Sequence, residues 1–216
     1  MKHGAMASAV GLMLGAALLA CNGGGGDSPT PTPIITLTGT RAELDNLVNR
    51  MESLTFRVVY QVEGASGEEL ERLVITNLPP RTRVDTIPAG GTEAVSSFIG
   101  TGDGDLVISC ENGPANWECH EIDDLGQSIL RTAAPVTFFP RSALQTYQVT
   151  EIEGREIAGQ QARCFEIDPP EEAAIEHCFT DDGILLYSSP TFGTVQAVEL
   201  SRDVAEDAFE PPADPQ

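Results

Sequence analysis

The sequence predicts a mainly β, α+β fold: a curved antiparallel meander wrapped over one or two short helices. Three observations carry that reading. Leu44, Leu47, Val48 and Met51 recur at helical spacing near the start of the domain. From Leu54 onward, short runs alternate apolar with polar side chains, as half-buried antiparallel strands do. Gly- and Pro-rich turn signals separate most of those runs. Residues 34–216, roughly 180 positions, suit one domain with a sizeable core.

The elements follow in order. Thr40-Arg41-Ala42-Glu43 reads as a capping box, with Thr40 as N-cap and Glu43 three residues on, so a helix is expected over about 41–52. Leu54, Phe56, Val58, Tyr60 and Val62 then share one parity, while Thr55, Arg57, Gln61 and Glu63 share the other. Further strands are expected at 70–78, 82–87, 94–100, 105–111, 116–122, 147–153, 161–167, 174–180, 184–189 and 193–202. Turns fall at Gly64 to Gly67, Pro79-Pro80, Ala89-Gly90-Gly91, Gly102-Asp103-Gly104 and Asp181-Asp182-Gly183. The meander is interrupted at 124–145, where Ser128 to Ala134 suit a second short helix before Pro135 and Pro140. No repeat at a solenoid or propeller period is found.

The N-terminal segment belongs to another class of structure. Lys2 and His3 precede residues 4–20, a run of Gly, Ala, Ser, aliphatic and Met side chains that suits a secretory signal and is short for a membrane span. Leu18-Leu19-Ala20-Cys21 resembles the lipobox of bacterial lipoproteins. That resemblance implies a signal peptide over 1–20, removed before Cys21, and acylation of the Cys21 thiol. Residues 21–33 continue as a tether, because Asn22 to Pro33 offer nothing to a core. Four glycines loosen its first half, and alternating prolines stiffen the second toward polyproline II. Stretched, it reaches about 40 Å at ~3.3 Å per residue, enough to hold a domain clear of a bilayer.

Cysteine usage agrees with export. Lipidation of Cys21 leaves an even set, Cys110, Cys119, Cys164 and Cys178, and an oxidising compartment favours bridges over thiols. Cys110 and Cys119 flank Asn112-Gly113-Pro114, and Cys164 and Cys178 flank Asp168-Pro169-Pro170, so each pair is expected to face across a hairpin. Metal ligation is the rival use, but no CxxC pair occurs. By parity, Cys110 lies with Leu106 and Ile108 and Cys119 with Trp117, on a buried side. Cys164 lies with Glu166 and Cys178 with Glu176, which places the second bridge on a solvent face.

Charge narrows the partners. The chain has 33 acidic residues against 12 basic ones, and Lys2 is its single lysine. Without the signal, 11 arginines face 33 acids, a net of −22. Nucleic acid and anionic headgroups both require a basic footprint, so neither is expected to be a partner. No Gly-x-Ser-x-Gly elbow, Walker motif or HExxH occurs, and no catalytic residue, metal ligand or cofactor site is assigned. His120 is expected to face solvent and His177 to sit among apolar residues on the Phe165 side. Asp103 and Asp105, Asp123-Asp124, Glu171-Glu172 and Asp181-Asp182 read as turns or loops.

The lipobox, tether, early helix and Leu54-Thr55-Phe56-Arg57-Val58 opening together resemble the LolA/LppX-type lipoproteins of the bacterial envelope. Pro79-Pro80-Arg81-Thr82-Arg83-Val84-Asp85, Ala158-Gly159-Gln160-Gln161-Ala162-Arg163-Cys164 and Phe209-Glu210-Pro211-Pro212 add to the likeness, which covers roughly residues 40–212. The resemblance implies an incomplete β-barrel curled around helices over an apolar cavity. It also implies carriage of lipids or lipoproteins, or their sensing, as in RseB-type regulators. The expectation is thus a monomeric, extracytoplasmic lipoprotein, anchored by its N-terminal lipid to the cell membrane, with a lipid or lipoprotein ligand. By parity, the cavity wall would hold Phe56, Val58, Tyr60, Ile108, Phe165 and Phe179, and the rim Phe98, Phe138, Phe139 and Phe192. The other reading is an envelope interaction or sensor module with a solid core and no ligand.

Overall fold

The computed structural model describes residues 38–102, 106–122, 144, 146–170, 173–191 and 193–216. The lipobox, Cys21, the tether, the expected helix at 128–134 and the rim residues Phe138, Phe139 and Phe192 lie outside them, as do Asp103, Asp105, Asp123, Asp124, Glu171 and Glu172.

A single sheet of eleven antiparallel strands dominates. Its strands are β1 (Phe56–Gly64), β2 (Glu69–Leu78), β3 (Arg81–Pro88), β4 (Ser96–Gly100), β5 (Val107–Asn112), β6 (Trp117–Ile122), β7 (Gln148–Ile157), β8 (Gln160–Asp168), β9 (Ile175–Phe179), β10 (Leu185–Ser188) and β11 (Gly193–Ser201). Each overlaps a run read from alternation. The order β6-β5-β4-β3-β2-β1-β11-β10-β9-β8-β7 does not close on itself. It consists of two meanders, β1–β6 and β7–β11, joined where the first strand pairs with the last. That junction is long: Arg57 to Gly64 pair with Ser201 to Gly193, with one irregularity at Val59/Tyr60.

Among the described residues one α-helix, α1 (Thr40–Met51), lies against the sheet. The face it covers is called inner here. Leu44, Leu47 and Met51 are buried in one cluster with Phe56, Val58 and Tyr60 of β1. Bulges at Val62/Glu63, Leu185/Tyr187 and Ile152/Arg155 bend the strands. At the far end of the order, β7 comes back into contact with both α1 and β11. The sheet therefore wraps the helix.

The helix starts differently from its sequence signal. Gly39, at φ 61°, takes the cap position and its carbonyl accepts from the amides of Ala42 and Glu43, so Thr40 is already helical. The capping box does not form. Glu43 instead accepts a hydrogen bond from Arg163 of β8 at 2.7 Å, a charged partner that outcompetes the local backbone bond.

A second apolar cluster lies on the outer face. Ile99, Ile108, Cys110 and Cys119 are buried there beneath Phe209, which belongs to a short 3-10 helix, Glu206–Phe209. The C-terminal segment is fastened over them. The Arg83 Nη1 donates to the carbonyls of Ala208 (3.0 Å) and Glu210 (3.1 Å), Arg81 pairs with Glu206 and stacks over the Phe209 ring, and Gln216 N–H donates to Cys119 O at 3.0 Å.

Candidate functional site

Strand pairing decides which side chains share the inner face. Phe56, Val58 and Tyr60 project inward from β1, opposite Asn77, Ile75 and Leu73 of β2. Phe165 of β8 and Phe179 of β9 reach the same face from the other meander, and their rings meet edge-on with centroids 6.3 Å apart. All five are at most 2% exposed and belong to one cluster. The structure thus assembles an apolar wall across the two meanders from five of the six residues read from parity.

The sixth is a correction. Ile108 pairs with Ile99, Ile99 with Arg83, Arg83 with Thr76 and Thr76 with Arg57, so Ile108 stands on the Arg57 side of the sheet. It packs in the outer cluster under Phe209. Parity within β5 holds as a pattern, but the register between strands assigns the face, and one residue of offset inverts it. Of the expected rim aromatics, Phe98 is half-buried and packs against the inner cluster.

Tyr60 is the polar member of the wall. It is fully buried, and its hydroxyl donates to Leu185 O at 2.8 Å, which ties β1 to β10. Burial pushes its phenol pKa upward, so it stays a neutral donor.

Three contacts hold α1 on this wall. Asn77 is buried, and its Nδ2 donates to Leu54 O at 2.7 Å and Glu52 O at 3.3 Å, while Thr82 donates to its Oδ1 at 2.6 Å. Those carbonyls follow the last turn of α1, where orphan acceptors need a donor. Gly183, at φ 110° in the β9–β10 turn, lies directly under the Leu47 carbonyl, where any Cβ would collide. Arg163 bridges Glu43 of α1 and Glu151 of β7, at 2.7 and 2.8 Å. The hydrogen bonds it donates to both carboxylates hold its pKa up.

Both hairpin bridges are present: Cys110 is bonded to Cys119 and Cys164 to Cys178, each between directly paired residues. Cys164 and Cys178 face away from Phe165, as parity implied, but all four half-cystines are at most 1% exposed. The second bridge is therefore not on a solvent face. Ile152 and Tyr187 flank it in register, and Arg155 roofs it, 4.3 Å over the Tyr187 ring and 2.8 Å from Glu176. Glu176 converges with Cys164 and Cys178, but sulfurs joined to one another offer no thiolates to a metal. Bridges of this kind belong to an oxidising, extracytoplasmic compartment.

His120 is exposed on β6. His177 is buried on the inner face, opposite Phe165 and Ser188 and 6.2 Å from the Phe179 ring. Burial pushes its imidazole down to about 4. Ser188 was not singled out from sequence, nor were Asn77 and Arg163, because a polar residue inside an alternating run carries no local sign of its partner.

No family model and no curated protein sequence matches the chain. Solved structures do. The crystal structure of MucB is 18% identical with a TM-score of 0.58, over 81% of this chain and 63% of that one. The Pseudomonas aeruginosa MucA/MucB complex gives 17% and 0.57, over 80% of this chain and 60% of the matched one. These matches show a shared fold. The chain spans about three fifths of the length of those proteins. A lipoprotein-sorting domain from Vibrio parahaemolyticus, at 11% identity and a TM-score of 0.30 over 80% of this chain and 97% of that one, is too slight a likeness to argue from.

Proposed function

We propose that this chain is a membrane-anchored envelope lipoprotein whose half-barrel receives an apolar group, the acyl chain of a lipid or lipoprotein, on the wall that α1 covers. The observation that carries the reading is the wall itself. Phe56, Val58, Tyr60, Phe165 and Phe179 come from both meanders, present no charge, and are roofed by one twelve-residue helix. An apolar surface lined by few polar groups is what a hydrocarbon ligand needs. The lipobox-like Leu18 to Cys21 and the tether-like run to Pro33 support the anchor, and the two bridges agree with an exported location. The domain is a binding domain and carries no catalytic chemistry. Uptake requires α1 to give way.

The test has two parts. Cys21→Ala should move the full chain from the membrane fraction to the soluble fraction, or leave its signal uncut; processing and membrane retention of that variant would refute the anchor. The delipidated protein should take up a fluorescent acyl probe with little dependence on salt, since apolar burial is not screened. Val58→Trp, which fills the wall, should abolish uptake.

A second reading has its own observation. Leu44, Leu47 and Met51 already cover the wall, so the core can be solid and the function can lie in docking a partner protein. MucB, whose fold the chain shares, is solved in complex with MucA. Absence of uptake by any acyl probe would leave this reading alone.

A further inference from the structure

The sheet ends in two edge strands, and they are guarded differently. At one end, β7 carries a bulge between Ile152 and Arg155 and turns back against α1 and β11. At the other, β6 pairs with β5 in unbroken register from Trp117 to Ile122. It has no proline, lysine or bulge, which commonly blunt an exposed edge, and the charge it carries is acidic, at Glu118 and Glu121.

The pairing fixes which backbone groups of β6 are left over. Gly113 N–H donates to Asn116 O in the hairpin turn, and Asn112 N–H turns away from β6 to Val95 O. Cys110 and Cys119 are therefore a non-hydrogen-bonded pair, in keeping with their Cα separation of 4.1 Å. Glu118, His120 and Ile122 bond back to β5, while Trp117, Cys119 and Glu121 aim their backbone groups off the sheet. One of those groups already has a partner: Cys119 O accepts from Gln216 N–H at 3.0 Å, the one backbone bond made to that side of β6 among the described residues.

We propose that the β6 edge is a strand-addition site for an extended, cationic segment of a partner protein. An added strand would bond its backbone to Trp117, Cys119 and Glu121, as peptides do at open sheet edges. Its side chains would alternate between the two faces. Glu118 is exposed on one face, directly opposite the exposed Glu111, and Glu121 is exposed on the other. Like charges held directly opposite repel, and a cationic side chain on the added strand relieves that repulsion. The same carboxylates reject a second copy of this chain, because β6 against β6 sets glutamates beside glutamates. No lysine beyond Lys2 is present to offset them. The edge lies apart from the inner wall, so the proposal goes beyond both readings of that wall.

The experiment uses the full chain with its bridges intact and labelled peptides of about eight residues, enough for one strand. One alternates arginine with valine, one alternates glutamate with valine, and one is the arginine peptide N-methylated at every amide. The arginine peptide should bind about tenfold or more tighter than the glutamate peptide. Methylation keeps its charge but removes its donors, and should weaken binding about tenfold or more. Hydrogen exchange should show the amides of Trp117, Cys119 and Glu121 gaining protection with the arginine peptide. A chain carrying both Glu118→Lys and Glu121→Lys should reverse the preference toward the glutamate peptide. No binding of the arginine peptide, equal binding of its methylated form, or protection gained only at other amides would overturn the proposal. Acyl uptake is read separately, so those outcomes leave the reading of the wall untouched.

Discussion

The two meanders bury their side chains in different ways. Along β1–β6 the inner face loses its apolar character outward: Val58, Ile75, Val84, Phe98, Ser109 and His120 stand in one paired row, from fully buried to exposed. What those outer strands lack on the inner face they bury on the outer one, where Ile99, Ile108 and the Cys110–Cys119 bridge lie under Phe209. That cover arrives from about a hundred residues away in the chain. In β7–β11 the outer face is filled locally. Phe165 and Phe179 pack inward, while Cys164 and Cys178 pack outward under Tyr187 and Arg155. On the outer face one meander thus depends on a distant strap, and the other on its own neighbours.

The sharpest way to break that contrast is to remove the strap's anchor. Phe209→Ala should cost about 4 kcal/mol, the usual loss for a buried aromatic ring. Hydrogen exchange should show β5 and β6 losing protection while β8 and β9 keep theirs. A loss below about 1 kcal/mol in urea unfolding, or uniform loss of protection, would mean the outer cluster is not a separate dependency.

The bridges sharpen the comparison next. Their sequence separations are 9 and 14 residues, and the loop-entropy account gives about 3 kcal/mol for each. Because both are buried, replacing either pair by Ala should cost within about 1 kcal/mol of the other. A much cheaper loss of Cys164–Cys178 would restore the solvent-face placement read from its glutamate neighbours.

His177 supplies a pH test confined to the second meander. Its folded pKa lies near 4, below the roughly 6.5 of an unfolded chain. The unfolded state thus binds the extra proton first. The stability tied to the neutral imidazole is complete above about pH 6.5, declines as pH falls, and is lost by about pH 4, a difference of up to roughly 3 kcal/mol. The side chains paired with it, Phe165 and Ser188, carry no charge, and Glu176 beside it points to the other face. Carboxylates titrate in the same window, so the measurement is the difference between wild type and His177→Phe. Equal acid slopes for the two would contradict the buried placement.

Most elements were legible locally. The helix and all eleven strands follow from periodicity and turn chemistry, because each alternation reflects one strand's own two environments. What one strand cannot reveal is which of its faces joins which face of the next. Ile108 shows this: its run alternates properly, yet four strand pairings separate it from Val58. The buried second bridge was hidden for a related reason. Glu166 and Glu176 beside it in parity signal solvent, but Tyr187 and Arg155 cover the sulfurs from β10 and β7. Glu43 carries the local pattern of a capping box, but its partner, Arg163, is 120 positions away.

The same distinction separates the two attachments of α1, one to each meander. Asn77 of β2 is buried and donates to carbonyls at the helix's end, whereas Arg163 of β8 is about a third exposed, with partners more exposed still. Burial raises the value of the first contact, since Asn77→Ala would leave acceptors and the Thr82 hydroxyl without their partner, at about 2 kcal/mol. Water already solvates the second, and exposed ion pairs contribute about 1 kcal/mol or less. Arg163→Gln should therefore cost under about 1 kcal/mol, shrinking further in high salt, while the Asn77→Ala cost should not respond to salt. If acyl uptake requires α1 to yield, Asn77→Ala should also speed probe entry, and Arg163→Gln should do so less. Comparable losses from the two variants, both sensitive to salt, would show that the helix is held by charge and not by the buried amide.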